Sequence, residues 1–452
     1  MRPDSAMNDP AMNDPAGIAG KPGAGPASAL AEWRAHWPVV LVGALGMMMV
    51  SCNLYSLGTF VKPLQEEFGW SRAQITGGHL ITTMLAVVIG PLIGLMVDRH
   101  GPRRVAIPGT FAFCLALAGL SLAGPSIWSW WLLWGLVAVV TLAVSPAVWT
   151  TGVTRAFSRS RGLALAVTLS GTGIGLALAP NFTTLLIRLH GWRVAYVGLA
   201  AALAVIVVPA IILLLRVPPR GGVADRNAAH SRAFTLAPST GWRALLLDPR
   251  FLKLAFTTLA FAMGAMSFTI NLVPILMSTG QTAQGAAGLS AVIGLASVTG
   301  RLSNGWLLDR FDGNKVGAVS VAFPVLGCLC FVLAPGSTAM VVAGTFAIGL
   351  AMGGEYDVIA YLASRHLGTR DFATVFAILN GLLGLAGGIG PILFSRVYDV
   401  TGSYMPALWA SIPLYLAAAS ALLLLGPFRE EAAEPGDSAL ESELRAAAAG
   451  AL

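Results

Sequence analysis

The string GLMVDR at residues 94–99 returns as GWLLDR at residues 305–310, an offset of 211 positions that keeps the glycine, the aspartate and the arginine. The same offset relates two further pairs of positions, Pro180 with Pro391 and Gly191 with Gly402. One offset at three separated places indicates a duplicated unit rather than coincidence. The sequence therefore predicts two halves of similar structure.

The amino-acid composition indicates that these halves lie in a lipid bilayer and not in water. Of the 452 residues, 56% are hydrophobic and only 11% are charged, whereas a soluble domain has about 25% charged residues. A chain this apolar must lie in lipid, where a spanning helix takes about 20 residues. Its long uncharged windows, divided at turn-forming residues, predict an all-α integral membrane protein of twelve transmembrane helices in two six-helix bundles.

The charges give the domain limits and the orientation. We predict a cytoplasmic tail over 1–35, a first bundle over 36–216, a central cytoplasmic loop over 217–250, a second bundle over 251–427 and a tail over 428–452. This assignment puts 22 of the 28 lysines and arginines on the side of both termini, which the positive-inside rule identifies as the cytoplasm. The net charge of +7 thus reports topology and gives no indication of a nucleic-acid partner.

Only Arg301, Glu355 and Asp357 place formal charge well inside predicted spans. A charge at this depth costs about 2.5–3.5 kcal/mol on the insertion scale and is by default a functional candidate. A guanidinium binds a carboxylate through two donors and keeps its charge, so Arg301 is predicted to bind an anionic substrate. The alternative is a permanent ion pair between Arg301 and Glu355 or Asp357.

Glu355 and Asp357 are two residues apart, about 200° around a helix, so they face different directions and are predicted to differ in role. One neutralises Arg301 in the empty protein, and the other takes up a proton, because burial favours a neutral acid. Glu355 lies nearer mid-membrane and is the preferred proton carrier.

The segment GLMVDRHGPRR at 94–104 closely resembles the loop motif between spans two and three of the major facilitator superfamily, and GWLLDRFDGNK at 305–315 resembles its degenerate second copy. The segments LGTFVKPLQEEFGW at 57–70 and FSRSRGLALAVTLSGTGIG at 157–175, with the GWR of 191–193, resemble the monocarboxylate porter group and its bacterial relatives. The resemblance implies alternating access and a small organic anion, often moved with a proton.

The resemblance also assigns residues. Arg301 matches the group's substrate-binding arginine in span eight, whereas Ser297 replaces the acidic residue that often precedes it by four positions, and Tyr55 replaces the group's lysine in span one. Asn53, Trp149 and Asn380 are either cavity-lining or helix-packing residues. The expected gate of the cytoplasmic face consists of Asp98, Arg99, Arg103, Arg104, Asp309 and Arg310.

The resulting hypothesis is a secondary active transporter of a monocarboxylate such as lactate or pyruvate, coupled to protons and functional as a monomer in the cell membrane, or in the inner membrane of a Gram-negative cell. One alternative is a dicarboxylate or oxalate-type exchanger, although span eleven lacks the lysine expected of the oxalate type. Another alternative is an efflux carrier for a drug or a siderophore. A membrane enzyme or sensor is disfavoured, because the sequence has no nucleophile cluster and no metal or cofactor motif.

Overall fold

The computed structural model describes residues 29–157, 160–215, 247–308, 310–367 and 372–427, and this part of the chain is almost entirely helical. The helices are α1 Ala29–Phe68, α2 Arg72–His100, α3 Pro102–Gly119, α4 Ile127–Leu142, α5 Pro146–Ala156, α6 Arg161–Leu214, α7 Pro249–Ile270, α8 Leu272–Ser278, α9 Ala283–Leu308, α10 Gly313–Leu333, α11 Thr338–Leu367, α12 Phe372–Thr401 and α13 Met405–Leu423.

Ten segments of the described chain are long and apolar enough to cross a membrane. One of them, Gly162–Leu214, has 53 residues and is broken at Gly191, so it contains two crossings. The 29-residue helix α2 is not among the ten. The all-helical membrane fold is confirmed, whereas the count of twelve crossings stays a prediction.

The glycines related by the 211-residue offset occupy similar reversals of the chain. Gly191 has φ 82° and interrupts α6, and Gly402 has φ 70° and separates α12 from α13. Glycine adopts this left-handed region without the steric cost of a Cβ. The duplicated sequence therefore encodes the same turn in both halves.

Buried apolar side chains form two clusters. The first comes from α1 to α6, with Ile270 of α7 added to it. The second comes from α7 to α13, with Leu176 of α6 added and Tyr55 of α1 packed against it. We call α1 to α6 the amino half and α7 to α13 the carboxy half; these three side chains interlock them.

The first helix begins before the predicted limit of the tail. Residues 29–35 are helical, and Glu32, which is 2% exposed, accepts hydrogen bonds from the backbone N–H and the hydroxyl of Ser160 at 3.0 and 2.7 Å. This carboxylate occupies the amino end of α6, where unpaired backbone donors favour an anion. The rest of the predicted tails and most of the central loop lie outside the described residues.

Two faces of the protein are defined by the course of the chain. The tail face is the one at which α1 begins and α2 ends, and the far face is the one at which α1 ends and α2 begins. The tail face also holds the end of α13, because the Asn314 side chain at the start of α10 donates to the carbonyl of Gly426 at 2.8 Å.

Candidate functional site

The two halves meet through close backbone contacts. A side chain on Gly58 of α1 would overlap the Ile270 carbonyl oxygen of α7, and one on Gly294 of α9 would lie 3.1 Å from the backbone nitrogen of Ala177 on α6. Helices approach this closely only where small residues face each other. These contacts form the seam between the halves.

At the far face a carboxylate of the carboxy half caps a helix of the amino half. Asp399 of α12 accepts hydrogen bonds from the backbone N–H groups of Arg72 and Ala73, at 3.1 and 3.0 Å, in the first turn of α2. The first N–H groups of a helix have no partner within it and carry a partial positive charge. Asp399 therefore joins the halves through a charge-assisted contact.

The side chain of Arg72 adds to this junction. Its guanidinium donates to the Tyr404 hydroxyl at 2.8 Å and lies 3.5 Å from the centre of the Tyr398 ring. One helical turn deeper, the hydroxyl of Thr76 lies 3.2 Å from that of Ser395. We call Asp399, Arg72, Tyr398 and Tyr404 the far-face latch.

Toward the tail face, no pair of residues that the structure describes forms a junction of this kind between the halves. The remaining hydrogen bonds between described residues of the two halves are those of Ser290, which lies seven residues from the far-face end of α9, with Asn181 and with the carbonyl of Ala177, each 3.4 Å. The structure is therefore closed at the far face.

Arg301 lies on the tail-face side of the seam. It follows Gly294 by seven residues, which is two helical turns and about 10 Å along α9, so both residues project from the same side of the helix. That side meets the amino half, because Gly294 packs on α6. Arg301 accordingly points across the interface, and its charge acts on the Tyr55 hydroxyl of α1.

The guanidinium of Arg301 makes no hydrogen bond and no ion pair with any residue that the structure describes. It is only partly buried. Its five N–H donors therefore have no hydrogen-bond partner among the described residues. A permanent ion pair with Glu355 or Asp357, the alternative raised by the sequence, is not present in this structure.

Helices α9 and α11 are in backbone contact beside Arg301. A side chain on Gly353 would overlap the Ser297 carbonyl oxygen and lie 2.8 Å from the Arg301 nitrogen. Asp357 follows Gly353 by one turn, is half-buried and interacts electrostatically with Arg301. The close packing of α9 on α11 thus gives Arg301 a nearby carboxylate without a direct bond.

Glu355 lies on the other side of α11. It is 8% exposed, its charge acts on the Tyr415 hydroxyl of α13, and its Oε1 atom has no hydrogen-bond partner among the described residues. The predicted separation of the two acids is thus visible: Asp357 faces Arg301, and Glu355 faces the interior of the carboxy half.

The other candidate binding residues are distributed more widely. Ser297 is near the seam, although its hydroxyl donates to Gly294 of its own helix at 2.8 Å. Asn53 is 6% exposed with an unpartnered Oδ1 in the described structure, and Asn380 is partly buried on α12. Trp149 is 2% exposed, packs against Gly46 and donates to the Val144 carbonyl at 2.8 Å, so in this structure it is a packing residue.

The expected gate residues are exposed where they are described. Arg103 of α3 donates to the Ile212 carbonyl of α6 at 3.0 Å, within the amino half, and the Arg310 guanidinium lies 4.3 Å from the Trp306 ring. Arg99 and Arg104 are exposed. Asp309 and the side chain of Asp98 lie outside the described part of the structure.

The far-face latch was not anticipated from the sequence. Arg72 and Asp399 are opposite charges at the ends of uncharged windows, and this is the one sequence signal that could have suggested a pair. The signal is weak, because 327 residues separate them and the bonds run from Asp399 to backbone N–H groups. Any residue type at position 72 other than proline supplies such a donor.

Two apolar helical halves that meet along a seam and close over one face are the architecture of an all-helical membrane protein. A family model described as Major Facilitator Superfamily matches residues 43–391 and 305–449. The chain belongs to the Major Facilitator Superfamily and is a transporter, not an enzyme. Within the superfamily it is related to the monocarboxylate group, as the sequence resemblance predicts.

One curated relative is similar in sequence, and two solved structures share the fold. Monocarboxylate transporter 12 of Homo sapiens is 25% identical over 406 residues, which cover 81% of this chain and 77% of the relative. A bacterial homologue of the human lysosomal transporter Spinster, solved in an inward-facing and unoccupied conformation, has a TM-score of 0.62 at 19% identity, with 86% of this chain and 94% of that chain covered. A D-xylose-proton symporter has a TM-score of 0.64 at 15% identity, with 86% and 98% covered.

Proposed function

We propose that this chain transports a small monocarboxylate, such as lactate or pyruvate, by alternating access and together with a proton. The observation that carries the proposal is the guanidinium of Arg301 between the halves, which has no hydrogen bond or ion pair with any described residue. Tyr55 of the opposite half, on whose hydroxyl the charge of Arg301 acts, is the second partner that we assign to the carboxylate. The name of the human relative, monocarboxylate transporter 12, supports this substrate class.

The proposed cycle assigns the tail face to the cytoplasm, with both termini there, and places the monomeric protein in the cell membrane, or in the inner membrane of a Gram-negative cell. The described conformation is then open inward and latched outward. Release of the latch and closure of the tail face expose Arg301 to the other side. Asp98, Arg99, Arg103, Arg104, Asp309 and Arg310 belong to the tail-face gate in this proposal.

Proton coupling is assigned to the two acids of α11. Asp357 offsets the charge of Arg301 while no substrate is bound. Glu355 carries the proton, because an unpartnered carboxylate at its position is costly and a group that is neutral for part of the cycle avoids that cost. Ser297, Asn53 and Asn380 complete the proposed binding set as polar neighbours.

Uptake by proteoliposomes tests the substrate assignment. The purified protein is given labelled pyruvate, lactate, oxalate and a neutral sugar, and Arg301→Gln is compared with Arg301→Lys. In Arg301→Gln we expect the hydrogen bonds between the guanidinium and the carboxylate to be lost. This loss is worth about 2.7 kcal/mol and raises the KM for pyruvate about 100-fold. Arg301→Lys keeps the charge without the fork and gives a smaller increase. Carboxylate uptake that is unchanged in Arg301→Gln contradicts the proposal.

A second assay isolates the proton. We expect Glu355→Gln to abolish stimulation of uptake by an inward proton gradient, while exchange of internal for external pyruvate continues, because exchange needs no net proton movement. Asp357→Asn is the matched variant on the other side of α11. If Glu355→Gln responds to the gradient like the unmodified protein, Glu355 does not carry the proton.

A further inference from the structure

A separate cavity of about 510 Å³ opens above the closed seam at the far face. It is formed by α1, α2 and α6 of the amino half and by α8, α9 and α12 of the carboxy half. We call it the far-face vestibule. Gln284 lines it and precedes Arg301 by 17 residues on α9, so the vestibule lies about 25 Å from Arg301 along that helix.

The side chains that line the vestibule have a net positive charge, although the Asp399 carboxylate of the latch lies next to Arg72. Three cations, Lys62, Arg72 and Arg188, line it together with one acid, Glu66. The sequence assigns five basic residues to this face of the membrane, and three of them therefore converge on one cavity. A concave surface with one dominant sign of charge raises the local concentration of counter-ions.

Two of these cations are available to a ligand. The side chain of Arg188 is exposed and has no hydrogen bond or ion pair within the described chain. Lys62 has only a loose pair with Glu66, at 3.7 Å, in which both side chains are more than 60% exposed. Such exposed pairs hold little energy. Arg72, in contrast, is engaged by the latch.

The fold places Lys62 and Arg188 on the wall of one cavity. The hydroxyls of Thr59 on α1 and Thr183 on α6 lie 3.0 Å apart and fix the register of these helices. Lys62 and Arg188 follow them by three and five residues, about 4.5 and 7.5 Å closer to the far face. Thr184 also lines the cavity, and its buried hydroxyl has no hydrogen-bond partner among the described residues.

We propose that the far-face vestibule is a second anion site, in which Lys62, Arg188 and the Thr184 hydroxyl hold a small carboxylate at the entrance before the seam opens. The three groups offer donors, as a carboxylate requires. The cavity volume is within the range of small-molecule sites. The inference rests on the proposed function for the identity of the anion and adds a site distinct from Arg301.

Charge-selective labelling of the purified full-length protein in proteoliposomes tests the vestibule. Ser278, exposed and lining the cavity, is replaced by cysteine. It then reacts with an anionic methanethiosulfonate, the 2-sulfonatoethyl derivative, or with the cationic 2-(trimethylammonium)ethyl derivative. Relative to a free thiol, we expect Ser278→Cys to favour the anionic reagent about 10-fold, and millimolar pyruvate to slow its reaction.

Adding Lys62→Gln and Arg188→Gln is expected to abolish both the preference and the protection. Arg396→Gln is the matched control, because Arg396 is an exposed cation on α12 that does not line the vestibule. A preference that survives the double substitution, or that Arg396→Gln removes equally, overturns the inference, as does a lack of protection by pyruvate. Selective labelling in a protein that transports no carboxylate refutes the proposed function alone. Carboxylate transport without selective labelling refutes the vestibule alone.

Discussion

Removal of the Asp399 carboxylate is predicted to open the far face. The structure gives Asp399 two hydrogen bonds to backbone N–H groups of the other half, at 3.1 and 3.0 Å. A hydrogen bond to a charged group contributes about 1.5–3 kcal/mol, and water reaches this half-buried side chain, so about 1 kcal/mol for each bond is a reasonable value. Asp399→Ala then loses about 2 kcal/mol, which is about 30-fold in the ratio of closed to open molecules. A far face closed in about 99% of molecules becomes closed in about 77%.

Distances between two spin labels measure this change. Gln74 at the start of α2 and Val400 at the end of α12 are exposed beside the latch, Val400 by 69%. With cysteine at both positions and the four native cysteines replaced, a longer distance population is expected to grow in Asp399→Ala. Asp399→Asn, which keeps one acceptor oxygen, is expected to lie between it and the parent. The control is Glu66→Ala, because the ion pair of Glu66 among the described residues is with Lys62 of its own helix. An unchanged distance distribution in Asp399→Ala refutes the latch.

Two further predictions concern stability. Gly300→Ala forces a methyl group onto the Leu350 carbonyl of the neighbouring helix, so we expect overpacking to lower the free energy of unfolding by about 1–3 kcal/mol and to lower the thermal midpoint in detergent. Gly305→Ala on the same helix meets nothing within 4 Å and is expected to leave both quantities unchanged. Burial, and secondarily the charge of Arg250, lower the pKa of His366 at the tail-face end of α11 below its usual 6.5. The unfolded chain therefore binds this proton more readily, and stability falls as the pH decreases below about 6.5. A thermal midpoint that drops equally in His366→Gln between pH 7.5 and 5.5 contradicts that assignment.

Several features of the fold follow from local sequence rules. The scarcity of charge predicts lipid as the solvent, and the 211-residue offset predicts two similar halves. Gly191 and Gly402 explain why the offset is visible in the sequence. Both have positive φ, which glycine adopts most easily, so glycine recurs where the turn recurs. The sequence predicts a tail over 1–35, whereas α1 begins at Ala29. Glu32 has the pattern of a tail charge, and only the fold brings Ser160 beside it.

For the candidate site, too, the sequence predicts some features, and others depend on the tertiary structure. Arg301, Glu355 and Asp357 could be selected from the sequence, because a charge in lipid is costly whatever surrounds it. The sequence does not show which of the two acids faces Arg301, because that depends on the close crossing of α9 on α11 at Gly353. Trp149 was ambiguous for the same reason, and its position against Gly46 decides for packing in this structure.

The sequence by itself determined the lipid environment, the helical fold class, the duplication and the few charged residues inside the predicted spans. Each of these depends on composition or on spacing along one chain. Only the tertiary structure decided which face is closed, that Asp399 caps α2, and that Lys62 and Arg188 share one cavity with Thr184. These facts depend on contacts between residues more than a hundred positions apart, many of them to backbone atoms. Backbone groups are common to nearly all residue types, so the sequence carries no specific mark of such contacts.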